Sequence, residues 1–224
     1  MSTLIAGVDE AGRGPLAGPV AAAAVIFRRG RVPGGIKDSK LLDAARRDEL
    51  GAAIRCHALC FGIGWADAAE IDALNILEAT LLAMRRAVLA LSVVPDRLAV
   101  DGNRLPQLTG LGKCASATAI VRGDQSLRVI SAASILAKTA RDAYMVRADA
   151  LYPAYRFAQH KGYGTEVHMR LLREFGPSPI HRRSFAPVAQ LAGTRSVGTY
   201  ARCEGGPSAL CEGGAPALFG GVAP

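Results

Sequence analysis

The chain has 224 residues, 50% of them apolar and 21% charged, which is enough for one well-buried core and excludes a fibrous or largely disordered protein. A formal net charge of +8 suits a polyanionic partner. Neither a basic start leading into an apolar leader nor a run of bilayer-spanning length occurs, so no membrane association and a cytoplasmic location are expected.

Residues 4–9 (LIAGVD) and 20–27 (VAAAAVIF) read as consecutive strands joined by a Gly/Pro turn. A helix is predicted over 43–55, a strand over 58–65, and a helix over 75–91 with Leu77, Leu81, Met84, Val88 and Leu91 on one core face. Short strands follow at 97–100, ending at Asp101, and at 118–121, ending just before Asp124. Helices are predicted at about 131–149 and 166–174, the latter closed by Gly176 and Pro177. Alternation of short apolar runs with amphipathic helical patterns gives an α/β fold class.

The last 36 residues hold 8 of the 25 glycines and no helical or strand period. Residues 1–188 are therefore read as one domain and 189–224 as a flexible Gly/Ala/Pro-rich tail. Basic and acidic residues balance in that tail, Arg195 and Arg202 against Glu204 and Glu212, so the whole excess of positive charge belongs to residues 1–188. Five cysteines, Cys56, Cys60, Cys114, Cys203 and Cys211, form no CxxC pair and have no histidine at zinc-finger spacing, which argues against disulfides and structural zinc.

Asp9 and Glu10 are adjacent acids placed where a buried strand emerges. Two confined carboxylates repel and are costly to desolvate unless a cation or hydrogen-bond donors compensate. Because neighbouring strand residues point to opposite faces, both acids can serve one site only if the chain turns at once, which Gly12 and Gly14 permit. Residue types alone leave this reading beside a plainer one, a surface turn with incidental acids. Asp101 and Asp124, each closing its own strand-like run, favour the site, since functional residues gather at the carboxyl ends of strands in α/β sheets. Oxygen-only donors suit Mg²⁺ or Mn²⁺ rather than zinc. Two such ions about 3.5 to 4 Å apart can activate a water and stabilise the leaving oxygen in phosphoryl transfer.

The chain resembles the bacterial ribonuclease HII family through six separated motifs in the family's order: GVDEAGRGPLAGPV near the start, DSK at 38–40, VDGN at 100–103, GD followed by ISAASILAKTARD through Asp142, HKGYGT at 160–165, and HRRSFAPV at 181–188. The resemblance implies a ribonuclease H-like fold, a central mixed β-sheet flanked by helices with a C-terminal helical part. It implies endonucleolytic cleavage of RNA in RNA/DNA hybrids and nicking 5′ of ribonucleotides embedded in duplex DNA, with 3′-hydroxyl and 5′-phosphate products. The stretch 106–116 is longer than the family's usual connection.

By motif, Asp9, Glu10, Asp101 and Asp124 are implied to be the catalytic acids holding Mn²⁺ or Mg²⁺. Asp142 is the competing candidate for the fourth; inside a helical pattern beside Arg141 it reads as a structural ion pair or a solvated position. Gly12, Arg13 and Gly14 are implied to sense the ribose 2′-hydroxyl, which agrees with the close backbone approach that glycine permits. Tyr163, between Gly162 and Gly164, is similarly placed to stack on the neighbouring deoxyribose, where a ribose would collide; without the motif it reads as a half-buried turn residue. Lys40 and Lys161 are candidate phosphate contacts, or sources of diffuse attraction. The expected partners are RNA/DNA hybrid and ribonucleotide-containing duplex DNA, and a monomer is the expected state. Two rival readings are the sister ribonuclease HIII, disfavoured because Asp9 lies too near Met1 for a preceding domain, and an inert hybrid-binding module, disfavoured because all four acids are present.

Overall fold

The structure, a computed structural model, describes residues 3–36, 42–109 and 116–192. Five strands form one mixed sheet: β1 (Ile5–Ala11), β2 (Val20–Phe27), β3 (Ala58–Ala66), β4 (Arg97–Asp101) and β5 (Ser116–Ile120), in the order β3-β2-β1-β4-β5. The pairs β1–β2 and β2–β3 are antiparallel, whereas β1–β4 and β4–β5 are parallel. Every residue of β2 is buried, as its unbroken apolar run requires of a strand covered on both faces.

The two faces are read off by parity. Ala6 and Val8 of β1, alternate residues of β2 from Val20 to Ile26, and Leu98 and Val100 of β4 pack against α3 (Ile76–Leu89). Ala23, Val25 and Phe27 turn the other way, onto α1 (Ala44–His57) and α5 (Arg128–Leu151). Asp9 and Asp101 therefore share the α5 face. Gly7 lets α5 lie against β1, because a Cβ there would stand 2.3 Å from the Val129 carbonyl oxygen.

Helix α3 covers its face with a different stripe from the one its large residues predict. Ala79, Ala83 and Ala87 are fully buried with Met84 and Val88, while Leu77, Leu81 and Leu91 are only partly buried. Close contact selects the small side chains: a Cβ on Gly64 would meet the Ala83 carbonyl oxygen at 2.1 Å. Before it comes a helix that hydrophobic spacing does not predict, α2 (Ala68–Leu74), started by a capping box in which Asp67 accepts from the Glu70 N–H at 2.8 Å and Glu70 accepts from the Asp67 N–H at 3.0 Å. Asn75 separates the two helices and caps α3, accepting from the N–H groups of Leu77 and Glu78.

The C-terminal part comprises α6 (Phe157–His160), α7 (Glu166–Phe175) and α8 (Ala186–Ala192), after the short α4 (Gly123–Ser126) and the long α5. It closes over the loop between β1 and β2 through Leu16 N–H to the Gly162 carbonyl (2.8 Å), Gly18 N–H to the Ile180 carbonyl (2.8 Å) and Arg182 N–H to the Leu16 carbonyl (2.9 Å). Helix α8 runs past residue 188, the expected end of the domain, to Ala192, with Val188 buried and Leu191 packed beside it. Residues 193–224, most of the expected tail, and 110–115 of the long connection lie outside the described residues.

Candidate active site

Asp9, Glu10 and Asp101 each offer a carboxylate oxygen within 4.8 Å of the others. The chain does not turn directly after the acids, as their adjacency led one to expect; β1 stays paired with β2 through Ala11. Convergence comes instead from the other edge. The β1–β4 ladder ends at Val8–Val100, so beside Asp9 and Glu10 that edge of β1 is open, and Glu10, of opposite parity to Asp9, gathers there with Asp101. The turn begins at Gly12, whose φ of +96° is a conformation side chains other than glycine's rarely adopt.

Asp9 is buried; its Oδ1 accepts from the Glu10 N–H at 2.7 Å, and Ser134 of α5 hydrogen-bonds its side chain. Burial first, then the negative charges of Glu10 and Asp101, push the Asp9 carboxyl well above the usual carboxylate range. Glu10 is raised too, chiefly by burial, with Asp9 as a hydrogen-bond partner and Arg13, 3.5 Å away, pulling it back. Asp101 is fixed by the Gly123 N–H, which donates to its Oδ1 at 2.7 Å. Asp9 and Glu10, both held toward their protonated forms, mark a site lacking compensating positive charge, and oxygen-only donors suit a hard divalent cation.

Asp124, the fourth expected acid, is buried next to Gly123 in α4 and is not among the three clustered carboxylates. Its carbonyl accepts from Ser131 Oγ at 2.6 Å, which locks α4 onto α5. Asp142 stands apart from the cluster. It pairs with Lys138 at 2.5 Å and Arg47 at 3.7 Å, not with Arg141, because neighbours on a helix face different ways.

Arg141 and Arg182 are functional candidates that the sequence does not single out. Both are fully buried, and the hydrogen bonds of their guanidinium groups go to backbone carbonyls. Arg141 donates to Pro19, Lys161 and Ala17 at 3.0, 3.0 and 3.1 Å. Arg182 donates to Gly18, Arg13 and Gly12 at 2.9, 2.9 and 2.6 Å. Burial lowers their pKa values to about 10 and about 9, so both stay charged at neutral pH. A Cβ on Gly12 would stand 2.0 Å from Arg141 Nε. Their signal in sequence, an arginine inside an apolar helix face and another in HRRSF, does not announce carbonyl partners.

Tyr163 is 43% exposed, and a Cβ on Gly14 would lie 3.9 Å from its Cε1, so the glycine-rich turn and the tyrosine flank one another. The Arg141 guanidinium carbon lies 5.9 Å from the Tyr163 ring centre. Lys161 turns its ammonium back onto the Ala158 carbonyl, and its own carbonyl accepts from Arg141. Lys40 lies outside the described residues.

The model of the family described as Ribonuclease HII matches residues 6–188. The chain belongs to the ribonuclease HII family. Ribonuclease HII of Bordetella pertussis is 56% identical over 188 residues, 84% of this chain and 91% of that protein; the Laribacter hongkongensis enzyme is 55% identical over 188 residues, 84% and 93%. Among solved structures, the ribonuclease H2 of Pyrococcus horikoshii superposes with a TM-score of 0.70 at 24% identity, over 85% of this chain and 98% of that one. Bst ribonuclease HIII in complex with Mn²⁺ gives 0.67 at 18% identity, over 87% of this chain and 71% of that one. Both share the fold. As a ribonuclease HII, the chain is a ribonuclease H hydrolase of a metal-dependent family that acts on RNA/DNA hybrids. No helix among the described residues is long and apolar enough to cross a membrane.

Proposed function

We propose that this ribonuclease H cleaves the RNA strand of hybrids and nicks duplex DNA on the 5′ side of single embedded ribonucleotides, leaving 3′-hydroxyl and 5′-phosphate ends. The observation that carries the reading is the convergence of Asp9, Glu10 and Asp101 within 4.8 Å beside a glycine-rich turn. Those acids, completed by Asp124, would hold Mg²⁺ or Mn²⁺. Such an ion, when bound, offsets charge building on the phosphoryl oxygens and makes a water easier to deprotonate.

The chain's own residues do the rest. Ser134 and the Gly123 N–H orient Asp9 and Asp101 before substrate arrives, so no reorganisation accompanies the reaction. Gly12, Arg13 and Gly14 present backbone to the ribose 2′-hydroxyl, with Arg182 holding the carbonyls of Gly12 and Arg13 from behind. Tyr163 stacks on the next deoxyribose and rejects a ribose by collision. Lys40 attracts phosphate, whereas Lys161 serves mainly through its carbonyl. Residues 1–188, with helix α8 carried on to Ala192, act as the catalytic domain, the rest of the chain to 224 as an appended segment, and the protein works as a cytoplasmic monomer; the extent of the family match supports the first of these.

The test is cleavage of a duplex containing one ribonucleotide, with Mg²⁺ or Mn²⁺ supplied and then chelated. A nick 5′ of the ribonucleotide that appears with metal and vanishes with chelator is expected. Binding without a metal-dependent nick would replace this reading with an inert hybrid-binding module.

A further inference from the structure

Three buried histidines, His160, His168 and His181, lie under the Tyr163 loop and take no part in the acid cluster. The rings of His160 and His168 stack with centres 4.3 Å apart, and Nε2 of His168 lies 3.0 Å from Nε2 of His181. Two neutral imidazoles in such contact share one hydrogen, so one ring donates and the other accepts.

Which ring donates is fixed from outside the pair. The Ser178 N–H donates to Nδ1 of His181 at 2.9 Å, so His181 carries its own hydrogen on Nε2 and gives it to His168. His168 then bears its hydrogen on Nδ1, 2.8 Å from the carbonyl oxygen of Tyr163. The same logic holds at His160, whose Nδ1 accepts from the Gly162 N–H at 3.2 Å and whose Nε2 donates to the Tyr155 carbonyl at 2.8 Å. Burial drives all three below the ordinary histidine value, His168 to about 4 and His181 to about 3, which keeps the rings neutral at pH 7. Buried polar rings are costly unless their nitrogens are paired, and here every ring nitrogen is. An apolar filling would avoid that cost. What the imidazoles add is a hydrogen bond onto the backbone of the one residue whose exposed ring faces the glycine-rich turn.

We propose that His168 is a positioning residue for junction recognition, with His181 and Ser178 setting the tautomer through which it holds the Tyr163 carbonyl. The proposal rests on the stacking role of Tyr163.

The experiment compares kcat/KM on a single-ribonucleotide duplex with kcat/KM on a continuous hybrid, using the full chain. His168→Asn keeps an N–H donor at the place of Nδ1, and its ratio stays within about threefold of wild type; His168→Leu has no donor, and its ratio falls about tenfold, the scale of a misplaced aromatic contact. In a Tyr163→Ala background His168→Leu causes no further fall, because the two act through one contact. An unchanged ratio in His168→Leu, or a further fall in the Tyr163→Ala background, overturns the proposal. A Tyr163→Ala protein with an unchanged ratio overturns the stacking reading and this proposal together, whereas a Tyr163→Ala defect without a His168→Leu defect overturns this one alone. Whether or not a variant folds, ¹⁵N NMR of the wild-type histidines at pH 7 reports the tautomers directly: Nδ1–H at His168 and Nε2–H at His160 and His181 are expected, and an Nε2–H or doubly protonated His168 overturns the assignment.

Discussion

Arg182 donates from Nη2 to the carbonyl oxygen of Gly12 at 2.6 Å, so a buried cation grips the glycine-rich turn from the inside. The same guanidinium reaches Arg13 and Gly18, and no carboxylate among the described residues hydrogen-bonds to it. Replacing it by methionine strands three carbonyls, each worth about 1–3 kcal/mol when left unsatisfied in the interior. Arg182→Met is expected to cost about 3–5 kcal/mol and to lower the melting temperature by roughly 10 °C, with Arg182→Lys recovering only part because an ammonium cannot span all three oxygens. Thermal unfolding of the three proteins checks this; equal midpoints would show that the turn does not depend on Arg182.

Gly162 couples the two halves of the junction site more directly. Its φ is +83°, and a Cβ would stand 2.4 Å from the Ala17 carbonyl oxygen, a backbone atom that cannot swing away. Gly162→Ala is therefore expected to destabilise by about 1–3 kcal/mol and to displace the Tyr163 loop from the turn that bears Leu16 and Ala17. Cleavage at a single ribonucleotide should fall further than the melting temperature alone explains. Wild-type selectivity in a folded Gly162→Ala protein contradicts the coupling.

The parts of this molecule legible in the sequence are those governed by one local rule. The β2 run VAAAAVIF gives both ends of its strand, and Gly176 marks the end of α7. Asp101 can be placed at its strand end, whereas β1 runs two residues past Asp9, and the convergence of both with Glu10 depends on where the β1–β4 ladder stops, which no local pattern encodes. Helix α2 was readable from Asp67 and Glu70, yet its seven residues carry too little hydrophobic period to stand out. Arg141 and Arg182 were opaque for a different reason. Charged residues in apolar surroundings suggest a carboxylate partner, and these two direct their hydrogen bonds to carbonyls, all but that of Lys161 more than a hundred residues away in chain.

Asp101→Asn isolates the charge of one acid with little change of shape. The asparagine oxygen can still accept from the Gly123 N–H, so the β4–α4 junction should hold and the melting temperature of the metal-free protein should change by only a few degrees. Cleavage is expected to fall by more than about a hundredfold, with duplex binding largely kept. Manganese titration and single-turnover cleavage measure both sides of this split. Wild-type turnover in the variant would refute the metal-holding role of Asp101.

The raised pKa of Asp9 makes a prediction about stability that needs no substrate. A carboxyl whose pKa in the folded protein lies above its unfolded value binds protons more tightly when folded, so its contribution is fully present below the unfolded value, about 3.9, and is lost as pH rises through the folded value. At pH 7–8 without metal, the native state therefore carries the cost of a buried carboxylate beside Glu10 and Asp101. Asp9→Asn removes that charge while its side-chain oxygen can still accept from the Glu10 N–H. The metal-free variant should accordingly be more stable than wild type at pH 8, with the gap closing as pH falls toward 4. Added Mg²⁺ or Mn²⁺ should raise the wild-type melting temperature and leave the variant's nearly unchanged, because binding to the folded state stabilises only where the ligands are intact. Parallel pH profiles for the two proteins, or equal metal-induced shifts, would show that Asp9 is not the acid whose burial the cation relieves.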